Sequence, residues 1–196
     1  MSNTREQLTD RAEDYIRSGG FSSFSFRDLA KDLGIKSASV HYHFPTKSDL
    51  GTAVADRYNQ RFKDALPDPE TSNRFTEELI RHYIRMFHTE MMQAEKICLC
   101  AVLSVERATL SDDMRASLET FYTLNLDWLT RVFTRQAPDA ALPRTQAYQR
   151  ACQVLSALQG ALIGAWAMQD RSYFEKSARG LYKDLFGKTL KLPKHI

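Results

Sequence analysis

Apolar residues recur along this chain at intervals of three and four and almost nowhere alternate with polar ones, so the pattern predicts an all-α fold. Leu8, Ala12, Tyr15 and Ile16 fall on one face of a first helix. It starts at Thr4, where Thr4-Arg5-Glu6-Gln7 fits a capping box, and stops at Gly19-Gly20. Ser25, with Asp28 three residues on, opens a second helix of about two turns that turns Leu29, Ala30 and Leu33 inward and ends at Gly34. A third short helix covers Ser37 to Phe44, with Val40 and Phe44 inward, and Pro45 prevents it from continuing. Thr46-Lys47-Ser48-Asp49 begins a longer helix with the stripe Leu50, Val54, Tyr58 and Phe62. Pro67-Asp68-Pro69 breaks it and marks a boundary between modules.

The later helices are longer and richer in aromatics. Phe75, Leu79, Tyr83 and Phe87 define one, Leu99 to Ala108 a second, and Met114, Leu118, Phe121 and Trp128 a third. Gln136 to Pro143 reads as a loop, and Tyr148 to Gln169 as a long helix nearly free of charge. Tyr173 to Phe186 reads as a last amphipathic helix, followed by a frayed tail, KTLKLPKHI.

Composition narrows the class. With 43% hydrophobic and 26% charged residues the chain reads as globular. The polar N-terminus has no signal-peptide core, and no run of about 18 apolar residues offers a membrane span, so a cytoplasmic protein is expected. A net charge of +3 falls short of a protein that coats nucleic acid nonspecifically, so DNA binding would be local and geometric. Three cysteines do not make a disulfide framework, and Cys98-Leu-Cys100 lacks the two-residue spacer of a redox pair or zinc knuckle. A metal site using Cys98, Cys100, His82 or His88 lacks any recognised ligand spacing. There is no Gly-rich phosphate loop, G-x-S-x-G elbow or H-E-x-x-H pair, so neither an enzyme nor a cofactor is expected.

Two short helices joined by a tight glycine turn and held by a small apolar cluster meet the requirements of a helix-turn-helix, and Ser25 to Phe44 supplies them. Lys36, Ser37, Ser39, His41, Tyr42 and His43 are left outward, as polar groups suited to base edges and phosphates. The small residues Ser37-Ala38-Ser39 let the first turn approach a major groove closely.

FSFRDLAKDLGIKSASVHYHFPTKSDL resembles the DNA-binding signature of the TetR/AcrR family of bacterial regulators. Ser25, Arg27, Leu29, Ala30, Gly34, Val40, Tyr42, His43, Phe44 and Lys47 occupy the family's places, while His41 stands where many members have Tyr. The resemblance implies phosphate contacts from Ser25, Arg27 and Lys47, and base and further backbone contacts from Lys36, Ser37, Ser39, His41 and Tyr42. It also implies a three-helix DNA-binding domain at residues 1–48, and a helical effector-binding and dimerisation domain at 49–196. The expected protein is a dimeric repressor on an inverted-repeat, double-stranded DNA operator, released by a small apolar or aromatic effector.

Within the second domain, Ala157, Gly160, Ala161, Gly164 and Ala167 permit a neighbouring backbone to come close. A homodimer is expected through Leu155, Leu158, Ala161, Leu162, Ala165, Tyr173, Leu181 and Leu185. The effector pocket is expected among Met86, Phe87, Met91, Cys98, Val102, Phe121, Leu124, Trp128 and Trp166, a soft aromatic and thioether set. Packing in an ordinary core is the competing explanation for each. Two other readings stand beside the effector-released repressor: a nucleoid- or division-associated DNA-binding protein, and a thiol-based redox- or electrophile-sensing repressor using Cys98 or Cys100. A disulfide between Cys98 and Cys100 is not expected, because residues i and i+2 diverge on a helix. No basic amphipathic helix supports a membrane-surface role.

Overall fold

Hydroxyl and carboxylate pairs three residues apart set the starts of two of the N-terminal helices. In the computed structural model, which describes residues 4–94, 96–135 and 141–193, Ser25 Oγ accepts from the Asp28 amide at 3.3 Å while Asp28 accepts from the Ser25 amide at 2.8 Å. Thr46 and Asp49 repeat the arrangement at 3.1 and 2.8 Å. Every regular element among the described residues is helical. In order they are α1 (Thr4–Gly19), α2 (Phe26–Asp32), α3 (Ser37–His43), α4 (Lys47–Ala65), α5 (Thr76–Ala94), α6 (Leu99–Val105), α7 (Asp112–Thr134), α8 (Arg144–Met168) and α9 (Arg171–Phe186). Single 3-10 turns lie at Phe21–Ser23 and Arg107–Thr109. The helix expected to reach Ala108 therefore ends at Val105 and tightens into the second of these turns. The helix expected from Tyr148 begins at Arg144, directly after Pro143, whose fixed φ suits a helix start. Residues 136–140 of the expected loop and 194–196 of the expected tail lie outside the described residues.

By its contacts the chain divides elsewhere than at residue 48. The first unit runs to Lys63 and takes in Cys98–Phe121; the second comprises Asp64–Ile97 and the chain from Tyr122 onward.

In the first unit, Leu8, Ala12 and Ile16 of α1, Leu29 of α2 and Val40 of α3 are fully or almost fully buried with Leu50, Val54, Tyr58 and Phe62 of α4. The α4 stripe explains why this helix stays with the N-terminal module. Phe62 packs edge-on against Phe121 at 5.1 Å, and Asn59 Nδ2 donates to the Ser117 carbonyl at 2.8 Å. A Cβ on Gly51 would come within 2.8 Å of both Met114 and Phe21, so the helix backbone itself is in contact there.

In the second unit, Tyr83 stacks on Trp128 at 5.4 Å and donates to Asn125 Oδ1 at 2.7 Å, satisfying both polar groups in a dry interior. Trp128 Nε1 donates to the Pro67 carbonyl at 2.8 Å. The Tyr173 ring of α9 lies where a Cβ on Gly164 of α8 would be, 2.4 Å away, so that glycine serves contact within the chain. The turn between α8 and α9 is a Schellman motif, with bonds from the Asp170 amide to the Ala165 carbonyl (3.1 Å) and from the Gln169 amide to the Trp166 carbonyl (3.2 Å). The tail is docked further than expected: Leu190 is buried and Lys188 pairs with Glu77.

One sequence expectation about membranes needs correction. Over an 18-residue window α8 has a mean hydropathy of 1.3, long and apolar enough to cross a membrane by length and composition. Gln153, Ser156 and Gln159 interrupt its apolar run. Its Ala147, Ala151, Val154, Leu155, Leu158, Ala161, Leu162 and Ala165 are buried inside this chain.

Candidate nucleic-acid interface

The turn between α2 and α3 is built by Gly34. At φ +64 it occupies the left-handed region, which L side chains adopt only at a cost of about 1 kcal/mol or more. The Ile35 amide then reaches back to the Ala30 carbonyl at 3.0 Å and the Gly34 amide to the Lys31 carbonyl at 3.3 Å, closing α2 as a Schellman motif. The chain re-enters a helix three residues later. Val40 and Phe44 anchor α3, and the Arg5 guanidinium lies over the Phe44 ring at 4.8 Å. Arg5 is a cation beside this module that the motif does not contain; its place on α1, one turn before Leu8, is the signal that could have found it.

The outer side of α3 is open. Lys36, Ser37, His41 and Tyr42 are exposed, Ser39 and His43 half-buried. Tyr42 is 85% exposed, and its ring meets only His43, edge-on at 5.2 Å, among the aromatic contacts of this module. An aromatic side chain held outward on a short helix with small residues before it forms a surface that can enter a groove. Lys36, at the cap position, makes no side-chain cap, while its carbonyl accepts from the Ser39 amide at 2.9 Å.

Three of the expected contact residues already have partners. Ser25 Oγ donates to Asp28 Oδ2 at 2.7 Å as well as capping α2, and these bonds hold the Asp28 carboxyl below its ordinary value. His41 packs edge-on against Phe26 at 4.9 Å, with Nδ1 3.4 Å from the Pro45 carbonyl. Lys47 Nζ lies over the rings of Phe24 at 4.3 Å and Phe21 at 4.7 Å, and burial pushes its pKa down against the pull of the Glu106 and Asp28 charges. Arg27 is exposed in the first turn of α2.

Behind this surface the module is braced electrostatically. Tyr15 and Arg11 of α1 donate to Asp32 of α2 at 2.7 and 2.8 Å, and hold that carboxyl below its ordinary value. Glu106 accepts from the Phe21 amide at 2.6 Å and reaches within 2.5 Å of where a Cβ on Gly20 would stand; the backbone there, at φ +93, favours glycine.

The expected pocket residues are divided between the units. Cys98, Val102 and Phe121 belong to the first; Met86, Phe87, Met91, Leu124, Trp128 and Trp166 belong to the second. Phe87, Phe121 and Trp128 are buried, and the bonds of Trp128 to Tyr83 and Pro67 give it a packing role. Met91 and Trp166 line a cavity of about 200 Å³ with Leu162, Ala165, Gln169, Lys96 and Arg171. Cys98 departs from the sequence geometry: it is the N-cap of α6, with ψ 130, so its side chain does not follow helical spacing. Its thiol accepts from Tyr58 Oη at 3.4 Å, and hydrogen bonding from Cys100, opposed by burial and aided by Tyr58, lowers its pKa to about 7. Burial and the same contact push the Cys100 thiol up. Among the described residues no three His, Cys, Asp or Glu side chains gather as a metal site.

The side chains expected at a subunit interface are placed as follows. Leu155, Leu158, Ala161, Leu162 and Ala165 are buried within their own chain, leaving at most 5% of each exposed. Leu181 and Leu185 are half-buried, and Tyr173 is 39% exposed while covering Gly164. The open face of α8 instead carries Ser156, Ala157, Gly160, Ile163 and Ala167, and that of α9 carries Gly180. Nothing lies within 4 Å of a Cβ placed on Gly160 or Gly180.

Residues 8–54 match the family model of bacterial regulatory proteins, tetR family. Among curated proteins no sequence matches. Among solved structures, a TetR transcriptional regulator from Legionella pneumophila is 27% identical over 94% of this chain and 98% of its own, with a TM-score of 0.86. A TetR-family regulator from Agrobacterium tumefaciens is 26% identical over 92% and 96%, with a TM-score of 0.81. The reduced form of Escherichia coli NemR shares the fold, with a TM-score of 0.73 over 97% of this chain and 100% of its own at 21% identity.

Proposed function

We infer, for a chain that carries a tetR-family DNA-binding domain on the fold of TetR-family transcriptional regulators, that it is a repressor which binds an inverted-repeat operator as a homodimer and is released by a small molecule. The observation that carries the reading is the outer side of α3, where Tyr42 stands 85% exposed on a helix anchored through Val40. A single such helix reads a few base pairs. Two of them, about 34 to 36 Å apart, read successive major grooves, which makes dimerisation part of recognition. The faces of α8 and α9 that carry Gly160 and Gly180 are the surface we assign to the second copy; a mid-helix glycine costs about 1 kcal/mol relative to alanine, and close backbone approach offsets that cost. An effector that favours an operator-incompetent arrangement needs about 1 to 3 kcal/mol of differential binding to weaken operator affinity 5- to 150-fold. Such a regulator works in the cytoplasm.

Genome-wide fragment binding at fixed salt, with a footprint of the strongest site and a Tyr42→Ala control, tests the reading. A short inverted repeat near one or a few promoters, lost in the control, is expected. Many dispersed sites would favour a nucleoid-associated role, and no specific binding would overturn the proposal.

A second reading is favoured by one contact. Tyr58 Oη on the Cys98 sulfur, with Cys100 beside it, makes a thiol that is partly thiolate near neutral pH and therefore a candidate for oxidant sensing. If Cys98→Ser retained full operator release by peroxide, this second reading would be rejected.

A further inference from the structure

The second unit contains a cleft of about 700 Å³ that operator binding does not use. It lies where the first turns of α5 and the early part of α8 meet the last turns of α7 and α9. Its volume falls within the range of small-molecule sites, roughly 300 to 1,000 Å³. Phe133, Leu142, Leu185 and Phe186 supply apolar lining, and Phe75 stands at its edge 72% exposed. A phenyl ring left in water beside an apolar cleft marks a surface that gains by being covered.

The charges around the cleft are nearly all engaged. Glu77 accepts from Tyr182 Oη at 2.6 Å and from Lys188 Nζ. Glu78 accepts from the Phe75 amide at 2.9 Å and pairs with Arg81 at 3.5 Å. Arg150, half-buried on α8, lines the same cleft with no hydrogen bond or ion pair among the described residues. Among the described residues one guanidinium thus faces an apolar cleft without a counter-charge, and its planar fork matches a carboxylate. The nearby carboxylates Glu77 and Glu78 disfavour a dianion such as a phosphate monoester, and neither is left over to hold a cation.

We propose that this cleft binds a small amphipathic organic carboxylate, its apolar body between Phe133 and the Leu185-Phe186 pair under Phe75, and its carboxylate on Arg150. Binding stands on this geometry alone; its use as the releasing signal rests on the repressor reading.

Decanoate and its neutral analogue decanamide, titrated calorimetrically into the full chain, are the probes. Decanoate is expected to bind about tenfold or more tightly than decanamide, the worth of one charge-assisted pair in a half-buried site. Arg150→Gln should weaken decanoate to the level of decanamide. Phe75→Ala should weaken both probes. Arg150 has no partner to lose among the described residues and Phe75 is exposed, so unchanged circular dichroism and thermal midpoint are expected of both variants. Absence of decanoate binding, equal binding of the two probes, or unchanged decanoate affinity in Arg150→Gln would each overturn the proposal. Operator binding measured in the same preparations separates the two readings: its loss without decanoate rejects the repressor and leaves the cleft, whereas intact operator binding with no decanoate binding rejects the cleft.

Discussion

Arg61 of α4 holds Glu13 of α1 in a two-pronged pair, Nη1 donating to Oε2 at 2.9 Å and Nη2 to Oε1 at 2.7 Å. Arg57 adds a bond at 3.2 Å, and Arg17, itself 6% exposed, lies at 3.4 Å. Burial raises the Glu13 pKa, but the Arg61 hydrogen bond and the charges of Arg61, Arg17 and Arg57 outweigh it and leave the carboxyl below its ordinary value. Glu13→Gln keeps the shape and removes the buried carboxylate charge that Arg61, Arg57 and Arg17 share, so a loss of about 3 kcal/mol in urea unfolding is expected. The sign with pH is fixed by the depressed pKa. The contribution is fully present above the ordinary glutamate value of 4.5 and is lost as pH falls through the lower folded value. The stability curves of wild type and variant should therefore converge in acid.

Lys47 separates packing from phosphate binding. Lys47→Gln should cost about 1 kcal/mol of stability through its contacts with Phe21 and Phe24. It should also reduce the salt dependence of operator binding by about one unit of slope if the ammonium turns to a phosphate in the complex. A stability loss with an unchanged slope would assign Lys47 to the module's interior alone.

Gly160 reports on the second copy. In an isolated chain Gly160→Ala adds a better helix former in open space and should stabilise by about 1 kcal/mol. Gly160→Leu should leave each chain folded and shift sedimentation from dimer to monomer at micromolar concentration. A dimer that survives Gly160→Leu would move the interface off this face.

Gln169 closes α8 at φ +51, a left-handed conformation that glycine adopts freely, while its Nε2 recovers part of the cost by donating to the Trp166 carbonyl at 2.8 Å. Gln169→Gly should raise stability by about 0.5 kcal/mol, and Gln169→Val, β-branched and without the donor, should lower it by about 1 to 2 kcal/mol. Thermal unfolding of the pair gives both signs in one experiment.

The helix-turn-helix was legible because its signals are local: Ser25 with Asp28, Gly34, and Thr46 with Asp49 sit where the backbone needs them. What escaped depends on distant residues or on a single dihedral angle. Phe26 captures His41 from another helix, and Phe21 and Phe24 capture Lys47. On α8 apolar side chains occur nearly all round, so periodicity does not say which face is open; Leu155, Leu158 and Leu162 lie in the chain's own interior with Ala161 and Ala165, and Ala157, Gly160 and Ile163 lie outside. Helical spacing does not apply at Cys98, whose extended cap turns its thiol toward Tyr58 and Cys100.

Within α3, Val40 is the buried residue, and Ser37, Ala38 and Tyr42 stand exposed, outside the module's interior. The folding constraint and the reading constraint therefore fall on different residues. A population of variants randomised at Ser37, Ala38 and Tyr42 would stay folded almost throughout while sampling many operators. Duplicated copies of such a gene could acquire new targets by single steps, without first passing through an unstable intermediate.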